Sequence, residues 1–171
     1  EFASSPSQVR ALLAQDEGGM LPPFLSLSIP EISALEQRMC SELWVRDRIA
    51  VSLAERERLD FQFAPAPHGR IRIAYLSNDL QDHATSHLLV ETLEAHDKNR
   101  FEVHGFSFGG DDEKGMRQRL RDSFDFYHDL TLLDDSAAAC AIHGAGIDIL
   151  IDLKGYTLGA RTGIMMLHPA P

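Results

Sequence analysis

The chain has 171 residues, of which 44% are hydrophobic, and carries a formal charge of −10 with a pI near 5.1. That length holds one core of ordinary size plus an appendage, and the negative charge argues against general affinity for DNA, RNA or an anionic membrane surface. No apolar run approaches the roughly 20 residues of a membrane span and no basic-then-apolar leader opens the chain, while Cys40 and Cys140 are too far apart to give a metal spacing; a reducing, cytoplasmic setting is expected.

After a flexible lead-in ending at Ser7, residues 8–17 read as a short helix closed by Gly18-Gly19, and Leu21-Pro-Pro-Phe24 as extended chain. Ser28-Ile-Pro-Glu31 has the form of a capping box. It opens a long amphipathic helix with Ile32, Leu35, Met39, Leu43, Ile49 and Leu53 on one face and charge from Arg46 to Arg58 on the other, a helix suited to lie against a larger body. Trp44, the single tryptophan, reads as a structural anchor. Phe61 to Gly69, with Pro65 and Pro67, is a linker by composition, which sets a helical extension over 1–68 apart from a domain over 69–171.

From Ile71 onward strand and helix alternate four times. Ile71 to Leu76 reads as a strand buried on both faces, followed by a helix capped by Thr85 or Ser86 with Leu88, Leu89, Val90 and Leu93 apolar. Phe101–Phe108 is a second strand; Gly109-Gly-Asp-Asp112 turns into a helix bearing Met116, Leu120 and Phe124, whose basic cluster Arg117-Gln-Arg-Leu-Arg121 reads as a solvated face. A shorter strand over 124–130, an alanine-rich helix over 137–143 and a clear strand at Ile147–Leu153 complete the series, with a further helix beginning after Arg161. Right-handed β-α-β crossovers then give an α/β fold: a Rossmann-like parallel sheet with helices on both faces.

Open parallel sheets bind ligands at the carboxyl ends of their strands, and two loops stand out there. Ser77 to His87 contains no glycine, which disfavours a dinucleotide fingerprint, but it carries Asp79, Asp82, His83 and His87. His83 and His87 at i,i+4 admit a metal reading only with a third ligand. Lys154 to Arg161 offers Gly155 and Gly159 for close backbone approach, Tyr156 as a flat surface with a hydroxyl, and Arg161 as a fixed cation for phosphate or carboxylate. The two loops are expected to open into one crevice, whereas spacing alone makes His143 structural.

Arg72-Ile-Ala-Tyr-Leu-Ser-Asn-Asp79, His83-Ala-Thr-Ser-His87, Phe101-Glu-Val103, Asp111-Asp112, Ile142-His143 before Gly146-Ile147, Gly155-Tyr-Thr-Leu-Gly-Ala-Arg161 and Pro169-Ala-Pro171 occur in an order and spacing that resembles the amino-terminal catalytic lobe of the O-linked N-acetylglucosamine transferases, over about residues 68–171. The preceding helix and linker resemble, more weakly, the segment that joins this lobe to tetratricopeptide repeats. The resemblance implies a two-lobe glycosyltransferase of GT-B architecture, inverting and independent of metal or other cofactor, that moves N-acetylglucosamine from UDP-N-acetylglucosamine to serine or threonine hydroxyls of proteins. It also implies His83 and His143 as catalytic residues and Thr85, Tyr156, Thr157 and Arg161 as substrate contacts. Animal members carry an aspartate about one turn before the second histidine, where this chain has Cys140.

In the family the nucleotide sits in a carboxyl-terminal lobe that this chain lacks, so the 171 residues are expected neither to hold UDP tightly nor to transfer sugar alone. Two other readings follow from the residues: a small metal-dependent hydrolase using Asp79, His83 and His87, and a non-catalytic Rossmann-like binding module with helix 31–58 as its contact surface.

Overall fold

A computed structural model describes residues 3–16, 22–63, 69–110 and 115–171, the side chains of Asp47 and Ala50 excepted. Gly18-Gly19, Leu21, Pro65, Pro67 and Asp111-Asp112 of the readings above lie outside the described residues. The chain divides into two compact units, Glu1–Arg58 and Leu59–Pro171.

The first unit contains α1 (Pro6–Ala14), the single helical turn α2 (Pro23–Ser26) and most of the long α3 (Ala34–Leu59). Ser5 caps α1, with proline in the first turn where a missing N–H costs nothing. Pro23-Phe24 is helical and not extended, because Pro23 can open a turn whose first amides need no partner. The capping box of α3 lies at Ser33–Glu36, not Ser28–Glu31. Ser33 Oγ accepts from Glu36 N at 3.2 Å, and Glu36 Oε2 accepts from Ser33 N at 2.8 Å. Arg10 and these Ser33 bonds hold the Glu36 carboxyl at a pKa of about 2. The buried stripe also differs from the expected one. Val9, Ile29, Ile32 and Cys40 form the core with Leu43 packed on it, whereas Leu35, Met39 and Leu53 are exposed. Trp44 is the platform for the Arg48 guanidinium, 3.3 Å above its ring.

The second unit is the expected parallel sheet. Its strands β1 (Ile71–Ser77), β2 (Phe101–Ser107), β3 (Phe126–Asp129) and β4 (Ile149–Asp152) lie in the order β3-β2-β1-β4, all parallel. Alternating residues of β1 feed two cores. Ile73 and Tyr75 pack with Val103, and with Val90, Leu93 and Leu120 from α4 (Ala84–Glu94) and α5 (Gly115–Ser123). Ala74 and Leu76 pack with Phe106 on the other face, under Ala138 and Ile142 of α6 (Asp135–Gly144) and Ile164 of α7 (Thr162–Met166). In α4, Leu88 is exposed while Ser86, Val90 and Leu93 are buried, so the apolar face is narrower than expected. Arg117 of the basic cluster is buried, not solvated, and donates to the Gly110 carbonyl. Arg119 pairs with Glu94 across α4 and α5.

The strand order sets where ligands can go. Successive crossovers from β1 run outward through β2 to β3, then the chain returns to lay β4 on the other side of β1. The loops leaving β1 and β4 therefore diverge to opposite faces, which opens a crevice at their carboxyl ends.

Candidate active site at the β1–β4 switch point

Both loops singled out in the sequence stand at this crevice. At the end of β1, Ser77 Oγ accepts from Asp79 N at 2.9 Å, and Ser86 Oγ donates to the Asp79 carbonyl. These two buried serines fold the loop back over the sheet edge. Its backbone leads to His83, which caps α4: the His83 Nδ1 accepts from Thr85 N at 3.2 Å, with Thr85 Oγ1 also at 3.2 Å. The cap expected of Thr85 or Ser86 thus belongs to an imidazole.

At the end of β4, the Asp152 carboxylate accepts from Lys154 N at 2.8 Å and Gly155 N at 3.1 Å, while the Lys154 carbonyl accepts from Thr157 N and Thr157 Oγ1. These bonds make a tight turn that carries Tyr156 and Leu158 outward; Leu158 is 95% exposed. Gly159 has a φ of +80°, and a Cβ there would come within 2.9 Å of Asn78 Nδ2. Gly109, from the β2 loop, sits so close to the Asn78 carbonyl oxygen that a Cβ would stand 2.1 Å from it. Three loops therefore meet around Asn78, and two of them do so only because they lack a side chain there.

The strongest link between the loops is an ion pair that the sequence did not reveal. Lys154 Nζ lies 3.0 Å from Asp79 Oδ2, with both side chains more than nine-tenths buried. A lysine after an Ile-Leu-Ile strand and an aspartate after a buried strand were the available signals, but each alone is commonplace at a sheet rim. Asp79 Oδ2 is also 3.6 Å from His83 Nδ1, beyond hydrogen-bond reach.

The remaining candidates separate. His87 turns to Asp82, 2.9 Å away, and not toward Asp79 and His83, so the three residues of the hydrolase reading do not converge. Among the described residues no three His, Cys, Asp or Glu side chains gather where a metal could be held. Arg161 is no free cation. Its Nε donates to Asp135 at 2.8 Å, and its terminal nitrogens donate to the Leu130 and Leu133 carbonyls, which locks the β4 loop to the start of α6. His143 belongs to the opposite rim. Because α6 runs antiparallel to the strands, its last turn lies beside the amino end of β1, where Arg72 donates to the Ala145 carbonyl. There the His143 ring stacks on Phe61 at 4.4 Å and meets the edge of Phe63 at 5.4 Å. His143 thus stands beside the amino end of β1 and His83 beyond its carboxyl end: helix direction, not residue type, decides which rim it reaches.

The chemistry open to His83 follows from its cap. A backbone N–H can only donate, so Nδ1 must present its lone pair and the neutral ring carries its proton on Nε2. His83 is thus left with Nε2–H as a donor, on an exposed side chain.

The family model of glycosyl transferase family 41 matches residues 20–171. The chain belongs to glycosyl transferase family 41. Similar relatives include the UDP-N-acetylglucosamine–peptide N-acetylglucosaminyltransferase of Caenorhabditis elegans, 39% identical over 103 residues covering 60% of this chain and 9% of that one. The Arabidopsis thaliana protein named Probable UDP-N-acetylglucosamine–peptide N-acetylglucosaminyltransferase SEC is 35% identical over 102 residues, 60% of this chain and 10% of its own length. The chain spans about a tenth of the length of these relatives. Among solved structures, a K341M mutant of the Thermobaculum terrenum O-GlcNAc transferase shares its fold, with a TM-score of 0.69 and 24% identity over 96% of this chain and 33% of that one. Among the described residues no helix is long and apolar enough to cross a membrane.

Proposed function

We propose that the α/β unit is the acceptor-facing lobe of an inverting protein O-linked N-acetylglucosamine transferase, with residues 1–68 as its helical extension. The observation that carries this reading is the meeting of the His83 loop and the Tyr156 loop at the β1–β4 switch point of a family 41 chain. The reaction needs an acceptor serine or threonine hydroxyl held in line with the sugar carbon, and hydrogen-bond donors where charge develops on the departing diphosphate. His83, through Nε2–H, is the catalytic donor in this proposal. Thr85 holds that ring by its cap, and Tyr156 and Thr157 line the acceptor side.

Arg161 acts through its lock on Asp135, fixing the β4 loop, and not through a ligand. The donor is UDP-N-acetylglucosamine, seated by a second, nucleotide-holding lobe, and the acceptors are proteins or peptides; no cofactor takes part. Upstream tetratricopeptide repeats and a cytoplasmic location belong to the same reading, and nucleic acid and membrane do not. The 171 residues alone are proposed to be inactive. The test is transfer of N-acetylglucosamine to a serine peptide by the lobe expressed together with a family 41 nucleotide lobe, with and without EDTA. Transfer unaffected by EDTA and lost in His83→Ala is expected. Turnover of UDP-N-acetylglucosamine by the isolated chain, or a His83→Ala enzyme of normal rate, would overturn it.

A further inference from the structure

We propose that Lys154 and Asp79 are positioning residues that choose the proton state of His83, an inference that rests on the role of His83 given above. The His83 Nδ1 faces two residues. One is Thr85, whose N–H and Oγ1 both stand at 3.2 Å and whose N–H requires an unprotonated Nδ1; the other is Asp79, whose carboxylate at 3.6 Å requires Nδ1–H. The first arrangement leaves Nε2–H as a donor toward the crevice. The second leaves the Nε2 lone pair free to take a proton, or gives an imidazolium bonded to Asp79.

Which arrangement holds depends on how far the Asp79 charge is already satisfied. Lys154 Nζ sits on the same Oδ2 atom at 3.0 Å, in surroundings dry enough that both side chains are more than nine-tenths buried. A carboxylate so paired has little attraction left for a second cation, and the buried serines fix the backbone from which it projects. The charged groups that bear on the ring are Asp79 on its own loop and, through it, Lys154 from the β4 loop. Asp82, one turn away, is engaged with His87. Lys154 therefore keeps His83 on its cap, as a donor and not a base, although it stands in a different loop.

Nitrogen-15 spectra of the imidazoles in the 171-residue chain test this without any transfer assay, so its failure is distinct from failure of the glycosyltransferase reading. The wild-type His83 is expected as the Nε2–H form at pH 7.5. Lys154→Met frees Asp79, and His83 should shift toward the Nδ1–H form. Lys154→Arg should restore the wild-type pattern, and Asp79→Asn combined with Lys154→Met should abolish the shift. Lys154→Gln serves in place of Lys154→Met if the latter fails to fold. A wild-type His83 in the Nδ1–H form, or a folded Lys154→Met or Lys154→Gln chain whose His83 keeps its tautomer, would overturn the proposal. A purely structural role for the pair would change stability and leave the tautomer unmoved.

Discussion

The two rims of the same four-stranded sheet use similar residues to opposite ends. At the amino rim charges and rings close on one another. Glu102 accepts from Arg70 at 2.7 Å, lies 3.1 Å from Arg72 and accepts from His104 Nε2 at 3.1 Å; from there, away from the rim, His104 Nδ1 meets His128 Nε2 at 3.1 Å across the β2–β3 pair, where His128 stands opposite Phe106. Burial pushes the Glu102 carboxyl up, but the His104 bond and the two arginines outweigh it, so its pKa is lowered. Asp148 accepts from Arg72 N, Asp125 from Val103 N, and His143 is held between phenylalanines. At the carboxyl rim the buried Lys154–Asp79 pair ties two loops together, while His83, Tyr156 and Leu158 stay exposed. A histidine is thus informative about function only once its rim is known.

The contrast can be broken by substitution, beginning where the effect should be largest. Lys154→Met leaves a buried carboxylate without its partner and should cost about 3–5 kcal/mol of folding stability, measurable by urea unfolding, with much of that recovered in the double variant with Asp79→Asn. A loss below about 1 kcal/mol would mean that the pair is wet and the carboxyl rim no different from the surface. His83→Ala, in an enzyme complete with its nucleotide lobe, should lower kcat by about 10²–10³-fold, as loss of a transition-state donor does, and remove only about 1 kcal/mol of stability with the cap. Equal losses of rate from His83→Ala and from Glu102→Gln would erase the distinction between the rims.

Gentler effects sharpen it. His143→Ala and Phe61→Ala should each lower stability by about 1 kcal/mol through the lost stack, with little additivity between them, as read in a double-mutant cycle. Least of all, acidification should weaken the packing between β2 and β3. Burial, reinforced by His104, lowers the pKa of His128 below its ordinary 6.5. The unfolded chain then binds the extra proton first, so this contribution is present above about pH 6.5 and is lost as pH falls through the depressed midpoint. His128→Phe should reduce the slope of stability against pH between 7.5 and 5.5; an unchanged slope would remove His128 from the buried relay.

Much of this was legible in the chain. Dense β-branched runs such as Ile71–Leu76 and Ile149–Ile151 announce buried parallel strands, and their alternation with helices fixes the rim at which His83 and Tyr156 stand. What could not be read is where partners are far apart in sequence. Asp79 and Lys154 are 75 positions apart, and the imidazole cap at His83 is hidden because serine or threonine is the customary choice and Thr85 and Ser86 follow within three residues. Arg117 looked solvated beside Arg119 and Arg121, yet its position on α5 carries it inward to Gly110. Two capping-box patterns stood five residues apart, and the hydrogen bonds chose Ser33–Glu36. For α3, spacing permitted several stripes, and the one that packs runs through Cys40.

The stack of Phe61 and Phe63 on His143 bears on where this lobe can be cut. By strand count it begins at Ile71, and a version trimmed to Gly69 would retain the whole sheet. It would nonetheless strip two aromatic rings from the last turn of α6 and leave a bare, sticky patch where the parent molecule has a finished surface. Versions that begin at or before Leu59 should stay monodisperse at concentrations where the shorter one clumps.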